Sequence, residues 1–165
     1  SMSLERPIMR TDIAKYLVDN GYVKTVSEAF DIWLTRYNLP NKDLTPERVF
    51  SLTHDSGGIA ILAHPGSSIL SLNEISRKFE DHKKMIADLR DKGLDGLEAW
   101  HYKHSTEARE RYSKLANKLG LAVSGGSDYH GSHAGPKVAG QRLGRVKVPD
   151  KVLYDLERYL EKLTH

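Results

Sequence analysis

The 165-residue chain contains no cysteine. Disulfides, thiolate zinc sites and thiol nucleophiles are therefore excluded, and with them a disulfide-stapled secreted domain. Aromatic residues are sparse, at 8%. Long apolar runs are missing as well. The longest, residues 59–63, is strand-sized and far short of the roughly 20 residues a membrane-spanning helix needs. No charged segment followed by an apolar one reads as a secretory leader, and residues 1–4 read as a cloning remnant. A reducing, cytoplasmic setting without a membrane partner is the expectation. One-sided charge is also lacking. Residues 1–56 hold 7 Lys/Arg against 8 Asp/Glu, and residues 57–165 hold 18 against 14, so the halves stand at −1 and +4. That imbalance suits a small anionic ligand or an ordinary solvated surface, and it is too weak for a nucleic-acid stripe.

What is present suits a globular chain: 39% hydrophobic and 28% charged residues, at the length of one domain or a domain with a small appendage. No internal repeat or low-complexity tract interrupts it. Residues 5–52 read as all helix. Apolar positions 13, 14, 17 and 18 lie at helical spacing before Gly21, and Thr25-x-x-Glu28 forms a capping box. Ala29, Phe30, Trp33 and Leu34 follow on one face, which predicts Phe30 and Trp33 as core residues. Thr45-Pro46 predicts another helix start. From residue 53 strands and helices alternate. Strands are predicted over 59–63, 96–100 and 121–124. Helices are predicted behind the capping box Ser71-x-x-Glu74, from Ser105 to Gly120, and from Pro149 onward. Such alternation predicts a parallel α/β sheet or barrel, with the helical region as a separate cap.

Polar residues gather where this architecture builds sites, beyond the carboxyl ends of parallel strands. His64 follows the first strand, Glu98 and His101 end the second, and Asp128 and His130 follow the third. Asp128-x-His130 offers an anionic oxygen and a neutral nitrogen, and in extended backbone the two point the same way. It suits a divalent cation; the plainer alternative is a loop turn with a capping Asp. His64 is either a ligand or a structural histidine ending a buried strand. Glu98 is either a base or ligand of the site or a partner of a nearby Lys. His101, Tyr102, Lys103 and His104 precede the helix cap Ser105, and form either a phosphate seat or an exposed polar loop. No phosphate-binding Walker loop, Gly-x-Ser-x-Gly elbow or His-Glu-x-x-His pair occurs.

Ala63-His64-Pro65-Gly66, then Leu97-Glu98, then GGSDYHG at 125–131 resemble the later part of a PHP (polymerase and histidinol phosphatase) metal-dependent phosphoesterase. The nearest subgroup holds RNase AM-like enzymes and nucleoside 3′,5′-bisphosphate phosphatases. Residues 10–15, 21–23 and 28–30 resemble the opening of that subgroup's helical insertion, although His is usual there where this chain has Asp12. The resemblance spans about residues 8–145. It implies a distorted β/α barrel around two or three divalent metals such as manganese, zinc, iron or magnesium. By position it makes His64, Asp128 and His130 metal ligands. It places Arg10 and His101 toward substrate phosphate, where Glu98 and Lys103 join them as candidates from the reading of the residues, with a nucleotide, short RNA or phosphorylated small molecule as substrate.

One family feature is absent. No histidine precedes residue 54, so the His-x-His pair that supplies the remaining ligands is missing. The expected fold is therefore α/β: a partial PHP barrel of three or four mostly parallel strands over 53–165, with a helical insertion over 5–52. The expected activity is phosphoester hydrolysis by the whole site, with this chain alone inactive or nearly so. The alternative is a non-catalytic α/β module, or one half of a split or homo-oligomeric assembly joined through half-barrel edges.

Overall fold

A computed structural model describes residues 8, 10–34, 36, 44–67, 71–129 and 143–164. His130 lies outside the described residues. The chain divides into two compact units, one holding the described residues up to 36, the other those from 44 onward. Phe50 of the third helix is buried in the core of the second unit.

The first unit contains α1 (Arg10–Asp19), α2 (Val26–Glu28) and a π-helical stretch (Ala29–Leu34). Gly21 leaves α1 at φ 72° and returns its N–H to Val18 O at 3.0 Å. Thr25 Oγ1 accepts from Glu28 N at 3.1 Å, while Glu28 reaches back to Lys24 N at 2.7 Å, one residue beyond the N-cap amide of the usual reciprocal box. Ala14, Val23 and Ala29 form the core, with Phe30 and Leu34 against it. Trp33, predicted inside, is 39% exposed. Wider π winding pairs i with i+5, which keeps Ala29 and Leu34 on one face and turns Trp33 outward.

The second unit contains α3 (Pro46–Asp55), β1 (Ile61–Leu62), α4 (Phe79–Asp91), β2 (Gly96–His101), α5 (Thr106–Leu119), β3 (Ala122–Gly126) and α6 (Asp150–Thr164). Its three strands pair in parallel in the order β1-β2-β3, so the chain is mixed α/β with a small parallel sheet. Helix α5 packs on β2 and β3, α4 on α5, and α6 on β3. Phe50, Ile86, Leu97, Tyr112 and Leu115 anchor the core. No helix among the described residues is long and apolar enough to cross a membrane.

Local signals set the ends. Thr45 caps α3 through Arg48 N, Ser105 caps α5 through Ala108 N, and Gly120 closes α5 at φ 72°. Ser71 behaves differently. It caps only the 3-10 turn Leu72–Glu74, accepting from Asn73 N, and α4 begins at Phe79. The long helix predicted directly behind Ser71 is thus two pieces. Asn73 turns its side chain onto Gly66 O and Ser67 O, and Ser76 starts a second segment by bonding Asp81. Ile75, predicted on the inner stripe, is 72% exposed.

At the amino ends of the strands, Asp95 is buried and saturated. Its carboxylate accepts from Ala60 N and from His54 Nε2, each at 2.7 Å, and from Tyr159 Oη at 3.4 Å. At the other end β2 carries one extra residue. Glu98 pairs with Ser124 and Trp100 with Gly125, leaving Ala99 bulged. A Cβ on Gly125 would fall 2.3 Å from Trp100 Cβ and 2.8 Å from its carbonyl oxygen. Gly125→Ala should therefore destabilise the chain by about 1–3 kcal/mol or more through overpacking. Urea unfolding checks this, and an unchanged midpoint would show that the bulge does not require glycine.

Candidate metal and phosphate site

Side chains alternate across a regular strand, so positions 98 and 101 of β2 should face opposite sides. The bulge at Ala99 removes that difference in phase, and Glu98 and His101 both reach the carboxyl-end site. Glu98 Oε2 accepts from the backbone N–H of His64 at 2.8 Å. The His101 ring lies 5.1 Å from the His64 ring, and His101 Nε2 is 3.8 Å from Asp128 Oδ2. His64, Glu98, His101 and Asp128 are thereby brought together from three successive strand ends.

Two of these residues hold backbone conformations that L-residues seldom adopt: His64 at φ 28° and Asp128 at φ 54°. Each such residue costs on the order of 1–3 kcal/mol and persists only where its surroundings impose it. Asp128 is thus in a left-handed turn, not in the extended backbone that would align it with residue 130.

His101 is buried and His64 half-buried, and both rings are incompletely satisfied. His64 Nδ1 and His101 Nε2 have no hydrogen-bond partner. His101 is only 1% exposed, not on an exposed rim. Burial, reinforced by His104 and His64, pulls its pKa down to about 4, so the ring is neutral near pH 7. Its Nδ1 accepts from Lys103 N at 3.3 Å, which puts the single ring proton on Nε2. His101 therefore presents an N–H donor to the site, suited to an anion's oxygen. Burial raises the pKa of Glu98, whose carboxylate is occupied in holding the His64 backbone.

As a metal site the donor set is compatible but incomplete. His64 Nδ1 and the Asp128 carboxylate are the right chemistry for a borderline divalent ion. Among the described residues, no three His, Asp or Glu side chains converge as a ligand group. Lys103 is exposed, its ammonium 5.5 Å from the Tyr102 ring centre. Arg10 belongs to the first unit, where its guanidinium donates to Leu34 O at 2.8 Å and covers the Phe30 ring.

Sequence reasoning missed the support beneath His64. His104 Nδ1 donates to the bulged Ala99 O at 2.8 Å, and His104 Nε2 accepts from Gly66 N at 3.0 Å. Tyr112 stacks on His104 at 5.3 Å and donates its hydroxyl to His82 Nδ1 at 2.7 Å, while His82 Nε2 donates to Ser76 O at 2.6 Å. The missed signal for His82 was periodic: it lies between Phe79 and Ile86 on the inner stripe of α4.

No family model matches the chain. It is 31% identical over 126 residues to the 5′-3′ exoribonuclease Rnm of Salmonella typhimurium, covering 74% of this chain and 41% of that protein. It is 30% identical over 161 residues to the 3′,5′-nucleoside bisphosphate phosphatase of Chromobacterium violaceum, covering 93% and 51%. A solved structure from Bifidobacterium adolescentis, described as a metal-dependent phosphoesterase, superposes with a TM-score of 0.73 at 30% identity. That match covers 95% of this chain and 52% of the other. The chain thus spans about half the length of the curated relatives it matches.

His104→Ala should leave Gly66 N and Ala99 O without their partner. The expected cost is about 1–3 kcal/mol, from buried groups left unsatisfied. Thermal unfolding together with proton exchange at the Gly66 amide tests this: rapid exchange in the variant is expected, and unchanged protection would remove His104 from the support.

Proposed function

We propose that the chain carries the later part of a PHP-type metal-dependent phosphoesterase site. The observation that carries the reading is the pair of buried, unpartnered imidazole nitrogens on His64 and His101, gathered with Asp128 at the carboxyl ends of parallel strands. The three relatives, all named for cleaving phosphate esters, support it. In this reading His64, Asp128 and His130 are ligands of divalent ions such as manganese, zinc, iron or magnesium. When bound, such ions supply Lewis acidity at a phosphoryl oxygen and acidify coordinated water.

The chain's own residues do the rest. His101, neutral and protonated on Nε2, donates to a phosphoryl oxygen as charge develops there. Glu98 fixes the His64 backbone, and His104 fixes the turn behind it, so that the imidazole stays aimed into the site. Lys103 and Arg10 are assigned to outer contacts with substrate phosphate. Residues 5–52 are read as the helical insertion, and residues 53–165 as the later barrel strands and helices. Among the described residues β1 and β3 each have a neighbour on one side only, as strands of a part-barrel would. The substrate is a nucleotide or short RNA, in a cytoplasmic setting. Two or three ligands do not close a metal's coordination shell, so the isolated chain hydrolyses poorly or not at all.

Manganese titration followed by histidine-ring NMR tests the site. Mn²⁺ should broaden the His64 and His101 signals before those of His54 and His82, and Asp128→Ala should weaken that binding by about tenfold or more. Uniform broadening of all four would sink the metal reading. Elemental analysis should find less than one tightly held ion per chain. Turnover of p-nitrophenyl phosphate with Mn²⁺ should be negligible; robust turnover abolished by Asp128→Ala would overturn the claim that the site is incomplete.

A further inference from the structure

His64 is strained on two counts. Its φ of 28° lies where L-residues are seldom found, and it directly precedes Pro65, whose ring pushes the residue before it toward extended backbone. Pro65 is fully buried, so the turn cannot relax outward without exposing that ring. The restraints that hold such a conformation must come from the surroundings.

Those restraints divide by the side of the backbone they grip. The N–H side is held by residues of β2 and the loop behind it, where His64 N donates to Glu98 and Gly66 N to His104. The carbonyl side is held from a different segment. Asn73 Nδ2 donates to Gly66 O at 2.7 Å and to Ser67 O at 2.9 Å, and Ser71 Oγ adds a second donor on Ser67 O. Both acceptors are carbonyls, so the Asn73 amide must present its NH₂ to them, and both of its N–H bonds are used. Within the turn, Ser67 N closes back on His64 O at 2.9 Å. Gly66 is thus gripped at its N–H by His104 and at its carbonyl by Asn73.

Asn73 is itself fixed. Its neighbour Leu72 is buried in the core with Ile86 and Leu97, and Ser71 caps the 3-10 turn Leu72–Glu74. The Asn73 amide therefore ties the His64 turn to the hydrophobic core.

Resting on the reading of His64 as a metal ligand, we infer that Asn73 is a positioning residue: its amide holds the carbonyl side of the 64–67 turn and so keeps His64 in the strained setting that leaves its Nδ1 unpartnered for a divalent ion. Removing the amide frees two carbonyls and lets His64 relax. Relief of strain then offsets part of the lost hydrogen bonding. Folding stability falls little, while metal affinity falls steeply.

Asn73→Ala and Asn73→Asp test this on the intact chain, with Ser76→Ala for comparison. Asp keeps the shape of Asn but turns carboxylate oxygens toward the two carbonyls. Ser76 bonds Asp81 and Lys78 N in the same segment and makes no hydrogen bond to the 64–67 turn. Calorimetric titration should show Mn²⁺ binding weakened about tenfold or more in both Asn73 variants, as for other groups that orient a metal ligand, and unchanged in Ser76→Ala. The one-bond Cα–Hα coupling of His64 separates positive from negative φ. In the metal-free chain it should move toward the negative-φ value in the Asn73 variants alone. Unchanged Mn²⁺ affinity in the Asn73 variants would overturn the inference. So would a positive-φ coupling retained at His64, or an equal loss of affinity in Ser76→Ala, which would mark general loosening of the segment. If the wild-type chain takes up no Mn²⁺ and His64 still relaxes in Asn73→Ala, the positioning role stands and only the metal reading falls.

Discussion

One extra residue in β2 determines what the rest of the carboxyl-end site can be. Without the bulge, Glu98 and His101 would lie on opposite faces of the sheet. With it, both face His64 and Asp128. The bulge also frees the Ala99 carbonyl from the ladder to accept the His104 proton, so the same irregularity orients the ring that holds the Gly66 amide. Trp100 in turn presses so closely on β3 that position 125 is confined to glycine. A ladder defect, a histidine pair and a glycine form one interdependent arrangement.

The site and its support follow different electrostatic rules. Around His82, Tyr112 and His104 nearly every polar atom has a partner, as buried polar networks require if they are to rigidify a fold. Burial there raises the Tyr112 pKa to about 12 and lowers that of His104, so both stay neutral and act as fixed dipoles. A few ångströms away, His64 and His101 leave nitrogens unsatisfied and the backbone runs through strained turns. Satisfied surroundings hold an unsatisfied centre in place, which is the usual form of a preorganised binding site.

Much of this was legible from residue order alone. Strands ending in His64, in Glu98 and His101, and before Asp128 announced both the parallel sheet and the end at which chemistry gathers. Thr25, Thr45, Ser105 and Gly120 announced helix ends because capping is a local hydrogen-bond pattern. What was not legible depended on contacts distant in sequence. Nothing local marks Ala99 as bulged, since the cause is its pairing with Gly125. His104 looked like part of an exposed loop, because its partners are the backbone of Gly66 and the carbonyl of Ala99. Ser71 looked like the start of a long helix because its competition with Asn73 and Ser76 involves the 64–67 turn. The turn of Trp33 to solvent came from π winding, which leaves no periodic signature of its own.

The Asp95 carboxylate at the far end of the sheet bears on how the chain reaches this structure. Its partners lie 35, 41 and 64 positions away, at Ala60, His54 and Tyr159. These contacts form only as α3, the residues before β1, and α6 are each brought to the start of β2, so the entropy of closing those loops comes first. A parallel sheet built through helical crossovers has the same character throughout, and such non-local topologies fold slowly relative to helical bundles of similar size. Contacts completed late leave the folding rate nearly untouched and act chiefly on the rate of unfolding. Asp95 thus serves as a kinetic latch: it slows the opening of a sheet whose opposite end holds strained turns and unsatisfied imidazoles.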